Sequence, residues 1–499
     1  MRLNYLTALL LGFPLNSALS DEALPPADQH VMSQLIQDGQ GAKAFLEAFE
    51  AGDELTEFSF DAARGVGAYI GEGRRFTRIP RADLNGPMEW ATHFPKREGG
   101  ANATSCIACH NAPLANGAGD VALNVVVDPA HTGDPSKYLE RNTLPLFALG
   151  IPQRLAEEIS LDLYLQRDVA LQTACDTGQS TAQLRSKGVD YGTLKMTRLS
   201  QDPCEVETDT SGLDGIDPDL VIRPFGWKGN HSTIRAFTRN AAHNELGLQA
   251  VELVGDQDGD YDGVTHELTV GDITALTTYM AALERPVSML ELDDLGLTDL
   301  TAIERLDIIA GEPLFVQTGC ASCHTPSMPF QEAIFKEPSQ VPGFFDVTFP
   351  DGSNPAEQGL HAANPMAFSL IGDQPNNMIT LPNNTMYHLG AVELNPDGLP
   401  IARWFTDFKR HDMGPDLADP SDPLGLGASN FLTRSLAGVG STGPWLHDGR
   451  ATTLDEAILT HGGAAQKSRD AYVALTQEAQ EQIIAYLENL VIYSADAKQ

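Results

Sequence analysis

Two short segments constrain this chain more than anything else in it: Cys106-Ile107-Ala108-Cys109-His110 and Cys320-Ala321-Ser322-Cys323-His324. C-x-x-C-H is the attachment signature of a c-type haem. Two thiols with two residues between them reach both vinyl groups of one porphyrin and form thioethers, and the adjacent histidine then lies under the iron as proximal ligand. A redox dithiol has no need of the histidine. A zinc site needs two more soft ligands close by, and none follows either motif. Each motif therefore predicts one covalent haem, held by Cys106, Cys109 and His110 in the first case and by Cys320, Cys323 and His324 in the second.

Thioether attachment takes place outside the cytoplasm, and the start of the chain agrees. Arg2, the apolar run Leu3 to Leu15 and the small-residue end Ala18-Leu19-Ser20 predict a signal peptide over residues 1–20 and a periplasmic location. A buried N-terminal helix is the plainer alternative. No later segment approaches eighteen uninterrupted apolar residues, so no membrane span is expected. In that oxidising compartment the remaining cysteines, Cys175 and Cys204, predict a disulfide. It closes a loop with 28 residues between them, worth ~3 kcal/mol if unstrained. Two separate buried thiols are the alternative. The chain carries 68 acidic against 32 basic residues, a formal charge of −36. Such a surface repels a phosphate backbone, which argues against nucleic-acid binding, and it favours a basic partner.

At 499 residues the chain exceeds one ordinary core. Its organisation reads as a repeat. Leu268-Thr269 leads into an amphipathic stretch with Ile273, Tyr279 and Leu283, and Leu475-Thr476 leads into one with Ile483, Tyr486 and Leu490. Without a gap, Leu268 meets Leu475 and Tyr279 meets Tyr486, with Thr as N-cap in both. Each half is thus a haem motif, an irregular segment and a closing helix, and the second motif follows the first by 214 positions (Cys320 minus Cys106). The expected fold is mainly α, with two cytochrome c-like domains in tandem and long loops rich in Gly, Pro, Asn and Asp. The expected divisions are an N-terminal extension over 21–95, a first domain over 96–290 with a polar insertion at about 168–219, and a second domain over 291–499.

Several longer segments then resemble the bacterial dihaem cytochrome c peroxidase superfamily. Within it the chain is most similar to the dihaem oxidoreductases known as putative peroxidases or thiol oxidoreductases. The matching segments are Arg141-Asn142-Thr143-Leu144-Pro145, Phe225-Gly226-Trp227-Lys228-Gly229, His411-Asp412-Met413-Gly414 and the run from Thr442-Gly443-Pro444-Trp445-Leu446-His447-Asp448-Gly449-Arg450 through Thr453 to Gly463. The resemblance runs from about residue 100 onward, and residues 21–95 carry no motif it places.

The resemblance implies site residues. The sixth ligand of the second haem falls fourteen residues after His447, on His461, where several relatives have Met or Tyr. His461 also lies on the apolar side of a helix before two glycines, which suits an inward ligand independently of any relative. A histidine that only meets the helix dipole is the competing reading, and Met413 is a fallback ligand. For the first haem no second ligand is evident, although His131 would serve as a removable one. Glu245 resembles the carboxylate that faces the open haem, where peroxide cleavage needs a proton moved from one oxygen to the other. The glutamine that peroxidase relatives often carry upstream is absent from Ile234 to Phe237, and His231 and His243 stand nearby. Trp227 resembles the tryptophan between the haems, where a large packing aromatic is an equally good reading. Asn142, Thr442 and Pro444 map onto an interdomain Ca²⁺ site of oxygen donors. The acidic run Asp256 to Gly263 suggests a second, EF-hand-like loop, although neither of its two registers is clean.

The function expected is a dihaem c-type oxidoreductase, peroxidase-like. It would take electrons from a small basic cytochrome or other donor at the C-terminal haem and deliver them to a peroxide-like substrate at the N-terminal one. The alternatives are a non-catalytic electron carrier and a dihaem enzyme acting on another organic or protein substrate.

Overall fold

The computed structural model describes residues 26–66, 103–119, 124–126, 139–259, 263–373, 375, 378–420, 422 and 424–493. The signal segment and His131 lie outside them. Of the described residues 38% are helical and 17% extended, so helix dominates as the sequence led us to expect.

Two helix crossings organise the chain. Helix Gly41–Glu57 packs across helix Val270–Ala282, and helix Ala302–Gln317 packs across helix Gln477–Glu488. Threonines start three of the four partners or their neighbours. Thr269 and Thr301 each close a reciprocal capping box, with Asp272 and Glu304, and Thr476 accepts from the Ala479 amide. The crossings are close because each has a glycine at its centre. A Cβ on Gly52 would stand 2.4 Å from the Ala275 carbonyl oxygen and 2.5 Å from Tyr279 Cβ; one on Gly311 would stand 2.0 Å from the Gln482 oxygen and 2.7 Å from Tyr486 Cβ. Ala275 and Tyr279 align with Gln482 and Tyr486 in the register read from the sequence repeat. That register is therefore also the register of packing. Gly52→Ala and Gly311→Ala force two helices apart, and we expect each to cost about 1–3 kcal/mol in chemical denaturation.

Three features depart from the sequence-based divisions. Residues 29–57 are not an appendage: Phe45 and Phe49 belong to the main core, and the Asp272 carboxylate accepts the Ala27 amide at 2.8 Å. Part of the second half also returns to that core. Phe335 and Phe368 lie within it, and Phe368 stacks on Phe45 with centroids 4.5 Å apart. A smaller core is left for Phe315, Phe405, Leu454, Tyr472, Ile483 and Tyr486. Finally, the polar insertion is ordered. Helix Gly150–Thr177 is followed by an antiparallel sheet of strands Gln179–Ser186, Val189–Gln201 and Cys204–Asp209. Leu184, Tyr191, Leu194 and Met196 are buried beneath it. Cys175 and Cys204 are bonded, Cα atoms 5.9 Å apart, so the helix end is tied to the last strand.

A buried ion network joins the two halves. Arg235, on helix Ile234–Ala241, reaches Glu252 and Glu337, the latter at 2.9 Å. Arg239 bonds Glu252 and, at 3.0 Å, Asp346.

Candidate haem sites

Both motifs fold identically. Cys106–Ala108 and Cys320–Ser322 each form one tight 3₁₀ turn, and the His110 and His324 amides donate to the Cys106 and Cys320 carbonyls, both at 3.0 Å. That turn puts both thiols and the following imidazole on one side. The second motif emerges from helix Ala302–Gln317 through Gly319, whose φ of +87° reverses the chain.

Around the second motif two imidazoles are oriented alike. The His324 Nδ1 faces the Phe405 carbonyl at 3.3 Å, and the His461 Nδ1 faces the Ala457 carbonyl at 2.7 Å. Each carbonyl fixes the tautomer with the proton on Nδ1, and Nε2 is left as the donor atom. Both rings are close enough for His461 to act electrostatically on His324. Burial and then that neighbour hold His324 down to about 4, and burial lowers His461 as well. Neutral imidazoles are the metal-binding form. His461 closes helix Leu454–Thr460, which Thr453 starts with a capping box to Glu456. Behind it a Cβ on Gly463 would lie 2.1 Å from the Asp412 oxygen. The His411-Asp412-Met413-Gly414 segment therefore backs directly onto the residues after His461. Met413 contributes backbone there, its amide donating to Ser429.

At the first motif Cys109 is buried and Cys106 half-buried, its thiol pushed up to about 12 by burial. Burial also holds His110 down to about 4, and the backbone groups facing it belong to Leu144 and Gly117. Glu245 sits in a π-turn, Ala242–Leu246, that ends at Gly247 with φ +77°. The Glu245 carbonyl accepts the Ala103 amide at 3.1 Å, so its backbone is tied to the strand of chain that leads into Cys106. Its side chain is half-buried. His243 is buried beside it, and His231 lies edge-on to Phe237 at 5.7 Å.

Trp227, Asn142 and the 442–447 segment pack on one another. Trp227 Nε1 donates to the Asn142 carbonyl at 2.9 Å, and its ring meets His447 edge-on at 6.4 Å. The Asn142 amide donates to the His447 carbonyl at 2.7 Å. The Asn142 side chain is buried against the Pro444 carbonyl, and among the described residues its Oδ1 has no hydrogen-bond partner. Amide oxygen and nitrogen are interchangeable by a flip. Either way one buried amide group faces carbonyl oxygen with an acceptor left over, which suits a hard cation. Thr442 Oγ1 donates to Val439 at 3.4 Å. In the acidic loop Asp260 to Asp262 lie outside the described residues. Asp256 is paired with His266 at 2.6 Å, and Glu267 accepts the Gln249 amide at 2.6 Å.

Two groupings were not read from the sequence. Asp407 and His411 pair at 2.8 Å beside Cys323; Asp407 and Cys323 outweigh burial and push His411 up to about 10. Asp419 gathers Arg141 at 2.9 Å, Lys228 at 3.0 Å and His447 at 3.4 Å. Cys323 is far in the chain from the Asp407–His411 pair, and Asp419 from Arg141 and Lys228, so no spacing announces either grouping.

Residues 401–490 match the family described as "Di-haem oxidoreductase, putative peroxidase". That segment contains His411, His447 and His461, so the family resemblance read from the C-terminal motifs stands. Among solved structures the chain is similar to hydrazine synthase of Kuenenia stuttgartiensis, from a structure under xenon pressure. The identity is 17%, over 45% of this chain and 56% of that one, and the TM-score is 0.22. It is also similar to a MauG-like protein associated with microbial copper homeostasis, at 16% identity over 57% of this chain and 76% of that one, with a TM-score of 0.28. No curated protein matches the chain.

Proposed function

We propose that this chain, a di-haem oxidoreductase by its C-terminal family segment, is a periplasmic c-type enzyme with two cytochrome c-like units in tandem that reduces a peroxide-class oxidant. One observation carries the reading. His324 and His461 turn Nδ1 onto backbone carbonyls and keep Nε2 as donor, within electrostatic reach of each other. Among the described residues no second imidazole acts on His110, whose influences are burial and the backbone of Leu144 and Gly117. Unequal ligation is the division of labour between a relay centre and a reactive one.

Haem bound at each motif would supply the one-electron and peroxide chemistry, electrons entering at the C-terminal motif and being used at the N-terminal one. Cys106, Cys109 and His110 would hold one group, and Cys320, Cys323, His324 and His461 the other. Glu245 would carry the proton between the two peroxide oxygens. The π-turn that presents it is a local departure of the kind found at functional sites. Trp227 would bridge the two centres, held by Asn142. Asn142, Pro444 and Thr442 would bind Ca²⁺ beside it. A chain of charge −36 would draw a basic cytochrome as donor.

Electron paramagnetic resonance of the oxidised protein tests the reading. One low-spin and one high-spin haem are expected, and two low-spin centres indifferent to peroxide would instead identify an electron carrier. Glu245→Gln should keep both haems and lower peroxide turnover by about 10²–10⁴. Chelation of Ca²⁺ should shift the absorption of the Trp227 indole and slow turnover, both restored by added Ca²⁺.

A further inference from the structure

Among the described residues no carboxylate pairs with Arg434. Its Nη1 donates to the Pro224 and Gly226 carbonyls at 3.3 and 3.2 Å. Its Nε is buried and, among the described residues, has no hydrogen-bond partner. The other buried arginines differ. Arg235, Arg239 and Arg285 are each raised by carboxylates in contact with them. A buried guanidinium without an anion is costly. Something negative is therefore expected against Arg434.

Its surroundings say what. The Arg434 backbone faces the imidazole of His324. The Nδ1 of the same ring meets the Phe405 carbonyl. Thr406 Oγ1 donates to the Thr433 carbonyl at 2.6 Å, which locks the two flanking segments together. Arg434 opens into a cleft lined by Pro224, Phe225, Trp404, Thr406, Phe408 and Ser435. Its guanidinium carbon stands 5.7 Å from the Trp227 ring. A porphyrin attached at Cys320 and Cys323 would carry two propionate carboxylates on the edge away from its thioethers, and these are the anions such a group would bring to this part of the fold. A planar carboxylate is also the partner that a guanidinium edge is shaped for.

We propose that Arg434 binds a propionate carboxylate of the haem held at Cys320, Cys323 and His324, and that this pair sets the potential of that haem. The proposal rests on the dihaem reading above. A cation there favours the reduced, less positive centre, so losing it should lower the potential. The pair also lies beside Trp227, the proposed bridge between the two centres.

The test uses the full-length holoprotein. Haem content is measured first, then each centre is titrated with its own optical and paramagnetic signature. Arg434→Gln should retain two haems per chain and lower the equilibrium constant for reducing the C-terminal haem about tenfold, about 59 mV for one electron. Resonance Raman should show its propionate bending band shift. Arg434→Lys keeps the charge and loses the fork, so the band should move while the potential stays near wild type. If Arg434→Gln does not fold, the Lys variant carries the test through that band. An unmoved potential and band in a two-haem Gln variant would overturn the proposal alone, as would an unmoved band in the Lys variant. A change confined to the N-terminal haem would do the same. Wild-type protein whose potential shifts on adding acetate or phosphate while its propionate band stays put would assign the pocket to a soluble anion instead, and so overturn it too. Wild-type protein with no haem would overturn the dihaem reading itself.

Discussion

Replacing His461 with alanine is expected to abolish the low-spin signal of the C-terminal haem and convert that centre to a high-spin or water-ligated one. The effect follows from geometry. The ring is held by its own Ala457 carbonyl at 2.7 Å, and the Gly462-Gly463 backbone packs on the 412–414 segment behind it. No other side chain is held this way opposite His324 among the described residues. Loss of a supporting residue around a metal typically costs 10–100-fold, and loss of a ligand costs more, so peroxide turnover with an electron donor should fall by at least about 100-fold. His461→Met is the informative companion. It restores a sixth ligand of softer character, so the low-spin signal should return and the midpoint potential should rise above wild type. Paramagnetic resonance and redox titration check both. An Ala variant with an unaltered low-spin spectrum would show that another residue ligates the iron.

How far the sequence reached depends on how local the signal is. Cys106 to His110 and Cys320 to His324 are legible because one tight turn carries the whole chemistry. The helix beginnings at Thr269 and Thr476 are legible because a cap and an apolar period lie within a few residues of each other. Even the crossing register was in the repeat, since Tyr279 and Tyr486 occupy equivalent positions. The sheet from Gln179 to Asp209 was not, because its outer face is polar and its buried apolar residues, Leu184, Val189, Tyr191, Leu194 and Met196, form too short an alternation to stand out. Nor was the return of Phe335 and Phe368 to the first core. An apolar run announces burial without saying against what. The meeting of Cys323 with the Asp407–His411 pair and the setting of Arg434 arise from segments that come together only in the folded chain.

Arg235→Met should be the most destabilising of the substitutions considered, by about 3–5 kcal/mol, because it strands two buried carboxylates. Arg235 is 4% exposed and Glu252 0%. Its guanidinium serves Glu252, Glu337 at 2.9 Å, Thr274 at 2.9 Å and the Val270 carbonyl at 3.1 Å. Without it Glu252 and Asp346 keep Arg239, and Glu337 loses its guanidinium partner. The network is already short of positive charge: burial outweighs Arg235 and pushes Glu337 from the ordinary 4.5 up to about 7. A folded value above the unfolded one means that the folded state binds the proton more tightly. That contribution is present below about 4.5 and lost as pH rises through about 7. Wild-type stability should therefore decline across that window, and Glu337→Gln should flatten the decline. In Arg235→Met the decline should steepen, with much of the deficit recovered near pH 5 or by adding Glu337→Gln. Urea denaturation at several pH values measures all four proteins, and a deficit independent of pH would point to lost packing rather than stranded charge. The consequence reaches the site. Arg235 lies on helix Ile234–Ala241, which runs directly into the π-turn of Glu245. Loosening the network should thus also displace the proposed proton carrier, so that turnover in the Arg235→Met variant recovers toward acid pH in step with stability.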